Sequence, residues 1–371
     1  MRSPLARRPH ARARLAASTA LLTLAAVAGA TIVTGPAQPY CDIENGYGAS
    51  MAVLGGRRLV VGSAGEFCDF VEALDPGTGE TVWSLYDLDD TDFGSRVATI
   101  GRDVLVTRLG ASALEVVRVE PATAVVRATY EVPRSVTSIA GLVAVNQRVA
   151  LLNAGGSAPG DGAIYVFDSR NGALLRTVPN PEPQRFLRRA LVRVGRRLVI
   201  SHWGLGNPDG SVSLDGSVSI VDPETGTVDA VVGSREAGDS FGSAIAADGP
   251  VIAVGAPGAS GGRGAVHLFD RSGRLRRTIV SDGPSTGCFG DAVAVRRDAV
   301  LVGAPCTSLA DGGEGAAYLY STRTGALIGS YPGREGGGRL GLNVALLRTA
   351  VALAGRGPDT ADNGVVRLVP R

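Results

Sequence analysis

The sequence predicts an all-β fold, a single closed ring of seven four-stranded antiparallel sheets. Three observations predict it. A phrase recurs along the chain every 46 to 55 residues. Each recurrence carries four short runs of β-branched and apolar residues bounded by Gly, Pro and Asp. Outside the N-terminal segment, no run sustains a helical period.

The elements follow in chain order. "MRSPLARRPHARAR" is basic, with Arg2, Arg7, Arg8, Arg12 and Arg14, and "LAASTALLTLAAVAGATIV" is apolar. Ala28-Gly29-Ala30 completes the small-x-small pattern of a signal-peptide cleavage site. Residues 1–30 are therefore expected to be an export signal, with cleavage as late as Ala37. The alternative is an uncleaved anchor, since the apolar run from Leu15 to Val33 has 19 residues, close to the length that crosses a bilayer. Removing residues 1–30 takes away five Arg and no acid, so the formal charge moves from +2 to −3. The mature domain then has no global positive field that would call for nucleic acid.

"FGSAIAADGPVIAVGAPG" (Phe241 to Gly258) returns as "FGDAVAVRRDAVLVGAPC" (Phe289 to Cys306). Weaker copies start at Tyr47, Phe93, Ile139, Phe186 and Leu340, so seven units fill residues 47–371. In each, an "FGxxVA"-like run, a short turn and a "VLVGAP"-like run predict an inner hairpin. A third strand follows, such as "AVHLFD" or "AAYLYS". A tight turn such as "PGTG" or "SRNG" then leads to a fourth strand, such as "ETVWSLY". Glycine supplies the positive φ that such turns need. One such sheet cannot bury both faces alone, so the units must stack as blades and close into a β-propeller. The seventh unit reaches Arg371 after its third strand. Residues 31–46 are expected to supply the missing fourth, from within "TGPAQPYCDIEN", so that no edge stays open.

All four cysteines follow the signal, and an even count in an exported chain points to disulfides. None has CxxC spacing, which argues against a metal cluster or a thioredoxin-like redox site. Cys288 and Cys306 flank the inner hairpin of unit six at equal distances from its turn, and Cys41 and Cys68 flank that of unit one. The expected pairs are Cys41–Cys68 and Cys288–Cys306.

"FGSAIAADGPVIAVGAPGASGGRGAVHLFD" resembles an FG-GAP repeat, the blade unit of integrin α-subunit propellers and of many secreted bacterial proteins. The resemblance extends over residues 47–371 and is strongest in units five and six. It implies a propeller that acts in binding or adhesion. Integrin-type repeats often hold calcium in a loop similar to "DxNxDGxxD" between the FG and GAP strands. Here those connections are as short as "ADGP" and "RRD", too short and too poor in oxygen ligands for a hard cation. No metal and no cofactor is expected. "VEALDPGTGETVWSL" resembles a quinoprotein dehydrogenase repeat, in which a Trp recurs in almost every blade. This chain has only Trp83 and Trp203.

Candidate binding residues gather in unit four. "ISHWGLGNPDGSVSLDG" puts His202 and Trp203 where better copies read Ala-Pro, followed by Asn207, Asp209 and Asp215. The alternative for the His-Trp pair is packing in a degenerate repeat, and no neighbouring Ser or Cys motif names a nucleophile. For "GNPDGSVSLDG" and "GPDTADNG" the alternative is turn chemistry, with Asx side chains capping their own backbone. His267, on the third strand of unit five, is expected to be structural or at the surface. "RFLRRALVRVGRR" offers Arg185, Arg188, Arg189, Arg193, Arg196 and Arg197 as a candidate anion site. Its alternative is a solvated turn with exposed strand ends, and Phe186 alone gives little support for stacking nucleic-acid bases.

The expected function is that of a non-enzymatic binding module, secreted, periplasmic or at the cell surface. It would be monomeric and take a protein or glycan ligand through the loops that follow each second strand. One alternative is a propeller enzyme, hydrolase or quinoprotein-like, with its site on that loop face or in the central channel. The other is a structural surface protein. Membrane contact is expected only through an uncleaved N-terminal segment.

Overall fold

The computed structural model describes residues 31–34, 47–48, 50–63, 70–86, 93–109, 113–153, 160–205, 215–234, 236–281, 288–307, 314–333, 338–356 and 364–371. These form seven four-stranded antiparallel sheets. Six blades use four consecutive strands each. In blade five they are Ile245–Asp248, Val251–Ala256, Ala265–Phe269 and Leu275–Val280. The seventh blade combines Asn343–Leu346, Ala350–Arg356 and Gly364–Pro370 with Thr31–Thr34. Helix among the described residues amounts to one turn, Ala259–Gly262. The chain is an all-β, seven-bladed propeller, as its repeats predict.

The first strand of each blade touches the first strands of both neighbours all the way round. These strands therefore line the central channel, and the ring has two distinct faces. Strand one begins and strand two ends on the loop face. The turns joining strands one and two, and strands three and four, lie on the opposite turn face.

The core is divided among the seven interfaces between blades. Between blades five and six, for example, Val266, Leu268 and Ile279 meet Phe289, Val300 and Val302. Second and third strands are covered on both sides, so Ala299–Ala304 is buried at every residue. The outer strand Leu327–Pro332 is mostly exposed and has no buried residue. This accounts for the doubly apolar inner runs and the mixed outer ones. Full burial of a large apolar side chain contributes about 1.5–3 kcal/mol, and here that burial needs the neighbouring blade.

The repeated phrase has a geometric cause. Phe93, Phe241 and Phe289 are completely buried. The glycine after each Phe is left-handed, with φ +83° at Gly242 and +96° at Gly290. Its amide donates back to the carbonyl of the GAP glycine, Gly242 N to Gly255 O at 2.9 Å and Gly290 N to Gly303 O at 3.0 Å. Phe-Gly is thus a turn that delivers the chain into strand one, which in blade five begins only at Ile245.

Cys288 and Cys306 form a disulfide with Cα atoms 5.5 Å apart, closing the inner hairpin of blade six on the loop face. Cys41 and Cys68 lie outside the described residues. Thr31–Thr34 pairs with the last strand, Thr31 opposite Leu368 and Thr34 opposite Val365. This strand stands at the N-terminal edge of the 31–46 segment and meets "TGPAQPYCDIEN" only at Thr34. Ile32 and Val33 suit a strand, whereas Pro36 and Pro39 lack the amide that a ladder requires. Residues 1–30 lie outside the described residues, and among those described no helix is long and apolar enough to cross a membrane.

Candidate functional site on the loop face

On the loop face the channel widens into a cavity of about 810 Å³. Its wall comes from the first strand of every blade, with apolar side chains such as Met51, Leu142, Leu191 and Ile245. Polar groups enter near the mouth: Ser50, Arg96, Ser243, Asp291, Arg339 and Arg356.

Part of this polar set holds the ring together. Ser50 Oγ accepts from Val97 N at 2.8 Å, joining blades one and two. Arg96 Nε donates to Ala140 O at 3.1 Å, joining blades two and three. Asn343 Nδ2 donates to Gly48 O at 3.1 Å, joining blades seven and one. Among the described residues, three guanidinium groups and one carboxylate line this cavity, so their own charges sum to a positive field there. Tyr47 also lines it and donates its hydroxyl proton to Glu72. Burial and then the Glu72 charge push its phenol well above the ordinary range, so Tyr47 stays protonated and offers no base.

Blade four holds the polar cluster around His202, which is completely buried. His202 Nε2 lies 2.9 Å from Ser219 Oγ and 3.6 Å from Glu182 Oε1. Ser217 Oγ and Ser219 Oγ both donate to Glu182 Oε1, at 2.5 and 3.3 Å. Arg185 Nε approaches Glu182 Oε2 at 3.0 Å. With the Ser219 proton directed to Glu182, Nε2–H donates to Ser219 and His202 is neutral. Burial, only partly offset by Glu182, holds its pKa down at about 4.

A serine nucleophile needs a histidine that accepts its proton at one nitrogen and is held by a carboxylate at the other. Here serine and carboxylate share Nε2, while Nδ1 is buried with no hydrogen-bond partner among the described residues. His202 is also absent from the wall of the channel cavity. The cluster is therefore packed scaffold. Glu182, Ser217 and Ser219 were not singled out in the sequence. Their signal is the alternation of Ser217 and Ser219 on a third strand, at positions where blades three and six carry Ala163 with Tyr165 and Ala316 with Tyr318.

The other sequence candidates scatter. Trp203 is 37% exposed and pairs opposite Phe186. Asp215 accepts from Gly238 N at 2.8 Å through Oδ1, and its carbonyl accepts from Arg185 Nη1 at 2.5 Å. Asn207 and Asp209 lie outside the described residues, as do residues 357–363 of "GPDTADNG". His267 is buried against Phe241 and Phe269 and meets Thr278 Oγ1 at 3.0 Å through Nδ1, a structural position.

The arginine-rich stretch does not form one patch. It runs along the strand Arg185–Val194 from the loop face to the turn face. Arg185 is engaged at the first end. Arg188 and Arg189 fall where the ladder shifts register between Leu187 and Leu191. Arg193 and Arg196 are exposed toward the other end. Arg197 pairs there with Asp222 at 2.6 Å and also with Asp229.

Residues 277–320, from the last strand of blade five to the third of blade six, match the FG-GAP repeat. No curated protein matches the chain by sequence. Among solved structures, the Pan2 WD40 domain of Neurospora crassa superimposes with a TM-score of 0.59 at 12% identity, covering 92% of this chain and 94% of that one. The Cps50 (Swd1) β-propeller domain of Myceliophteria thermophila gives 0.57 at 12% identity, covering 86% and 96%. A chain of a mitotic checkpoint complex gives 0.57 at 13% identity, covering 92% and 93%. At such identities the likeness is one of fold. The chain is a seven-bladed β-propeller that carries an FG-GAP repeat, the architecture of an interaction module.

Proposed function

We propose that the chain is an exported, non-enzymatic binding or adhesion module that seats a protein or glycan ligand on the loop face, over the mouth of the channel. The observation that carries this reading is the cavity itself. All seven first strands converge on it, and it combines an apolar wall with Ser243, Asp291 and Arg339 near its mouth. Loops on a rigid scaffold are the usual carriers of recognition. The net positive field favours a ligand with an acidic side chain or an acidic sugar. Export rests on the N-terminal segment, and the two disulfides expected of the chain suit an oxidising compartment.

Protein and glycan arrays probed with the purified chain test the reading. The expected result is a saturable ligand whose affinity falls at least tenfold in Arg339→Gln, with the fold intact by circular dichroism. A hit that ignores Arg339→Gln would overturn the placement. Turnover of an ester or glycoside panel by the wild-type chain would overturn the non-enzymatic reading.

A further inference from the structure

The turns between strands one and two ring the opposite mouth of the channel, because they join the two innermost strands of each blade. They span residues 54–58, 100–103, 145–148, 194–197, 248–251, 296–299 and 346–350, and hold nine Arg against three Asp. Six of the seven turns carry at least one Arg.

These arginines fall into two ranks. In the outer rank, Arg58 pairs with Asp75, Arg148 with Asp168 at 3.7 Å and Arg197 with Asp222 at 2.6 Å. Each of these carboxylates lies at the end of a third strand, so this rank ties the two turns of a blade together, and Arg148 also reaches Glu224 of blade four at 3.2 Å. The inner rank is Arg57, Arg102, Arg196, Arg296, Arg297 and Arg348. None of the six has an ion pair among the described residues.

Part of the inner rank meets at the adjoining turns of blades six, seven and one. The Arg296 guanidinium reaches from blade six to the turn of blade one, 3.4 Å from where a Cβ on Gly56 would stand. Arg297 N donates to Asp248 Oδ2 at 2.6 Å, joining the turns of blades six and five. Partial burial, and then the charges of Arg297, Arg348 and Arg371, disfavour the Arg296 cation, with Asp248 the acid that opposes them. A cluster of guanidiniums with so little compensation is stabilised by an anion that can bridge several of them. A single carboxylate brings too little charge.

We propose that this collar binds a compact oxyanion of three or more negative charges, a phosphorylated or sulfated group, bridged by Arg296, Arg297, Arg348 and Arg57. The site is on the face opposite the loop-face cavity and does not depend on what the loop face binds.

Calorimetric titration of the purified chain with inorganic tripolyphosphate, and separately with a trisulfated disaccharide, tests it and tells the two sources apart. At least one probe should bind saturably with one-to-one stoichiometry, and more weakly as salt is raised. Arg296→Gln/Arg348→Gln should weaken binding at least tenfold while its melting curve stays within a few degrees of wild type. Arg197→Gln, in the paired outer rank, and Arg339→Gln, on the loop face, should each stay within about twofold. Three results would overturn the proposal: neither probe binding at 50 mM salt (about a 14 Å screening length), the double variant binding as well as wild type, or Arg339→Gln abolishing the signal.

Discussion

The carbonyl oxygen of Gly290 occupies the space a side chain on Gly255 would need: a Cβ built on Gly255 would stand 1.9 Å from it. Gly255 is the next-to-last residue of the GAP strand of blade five, and Gly290 belongs to the Phe-Gly turn of blade six. The same contact recurs between Gly303 and Gly341, at 2.1 Å, and between Gly62 and Gly94, at 2.1 Å. The two halves of the repeated phrase therefore meet each other across successive blades. The GAP glycine is small because the next blade's Phe-Gly backbone lies against it.

Gly255→Ala should accordingly cost about 3 kcal/mol or more, since the obstacle is backbone and cannot rotate away. Gly261→Ala is the control. It has no heavy atom within 4 Å but a φ of +69°, so it should lose only about 1 kcal/mol. Urea unfolding of both variants checks the pair. A loss at Gly255→Ala no larger than at Gly261→Ala would mean that the approach between blades does not select glycine there.

Stability should also depend on pH through His202. Its folded-state pKa, about 4 against an ordinary 6.5, is depressed by burial. The unfolded chain therefore binds more protons between these values, and stability falls as pH drops from about 6.5 toward 4. The loss is on the order of 3 kcal/mol, leveling off below the folded pKa. The groups facing the ring are Glu182, whose charge partly offsets this, and Arg185. His202→Gln should flatten that stretch of the melting-temperature profile. A profile of unchanged slope in the variant would assign the acid sensitivity elsewhere.

The scaffold was legible because its rules are local. Phe241-Gly242 and Gly255 write their own geometry into adjacent residues, and the period reports how often it recurs. The surroundings of His202 were not, because Glu182 precedes it by 20 residues and Ser217 and Ser219 follow it. Only the register of blade four, with His202 opposite Ser217, brings them together. The Arg185–Arg197 stretch misled through linear density, since a strand crossing the blade parts its two ends. The arginine collar shows the converse. Its members are spread from Arg57 to Arg348 and form a site only when the turns are read as a column.

The disulfide bears on the loop face. Cys288 and Cys306 are 18 residues apart, and a loop of that size lowers the entropy of the unfolded chain by about 3 kcal/mol. Cys288→Ser/Cys306→Ser should lose about that much in denaturant unfolding. A peptide map without reductant should show the Cys288 and Cys306 peptides joined in the wild type. Recovery of either one bound to Cys41 or Cys68 would contradict the pairing.

The closing strand links folding to processing. Thr31–Thr34 is the outer strand of the seventh sheet and covers the edge of Gly364–Pro370. Cleavage after Ala30 leaves this strand on the mature chain, whereas cleavage after Ala37 removes it. The expected N-terminus of the exported protein is therefore Thr31, read by terminal sequencing. A chain beginning at Gln38 should be less stable by about 2 kcal/mol, the scale of a few backbone hydrogen bonds. It should also associate as concentration rises, because an uncovered strand edge is a template for pairing. Val33→Pro should reproduce part of the loss by breaking the ladder next to Val366. If the chain beginning at Gln38 melts with the full mature protein and stays monomeric on a sizing column, Thr31–Thr34 plays no part in closing the ring.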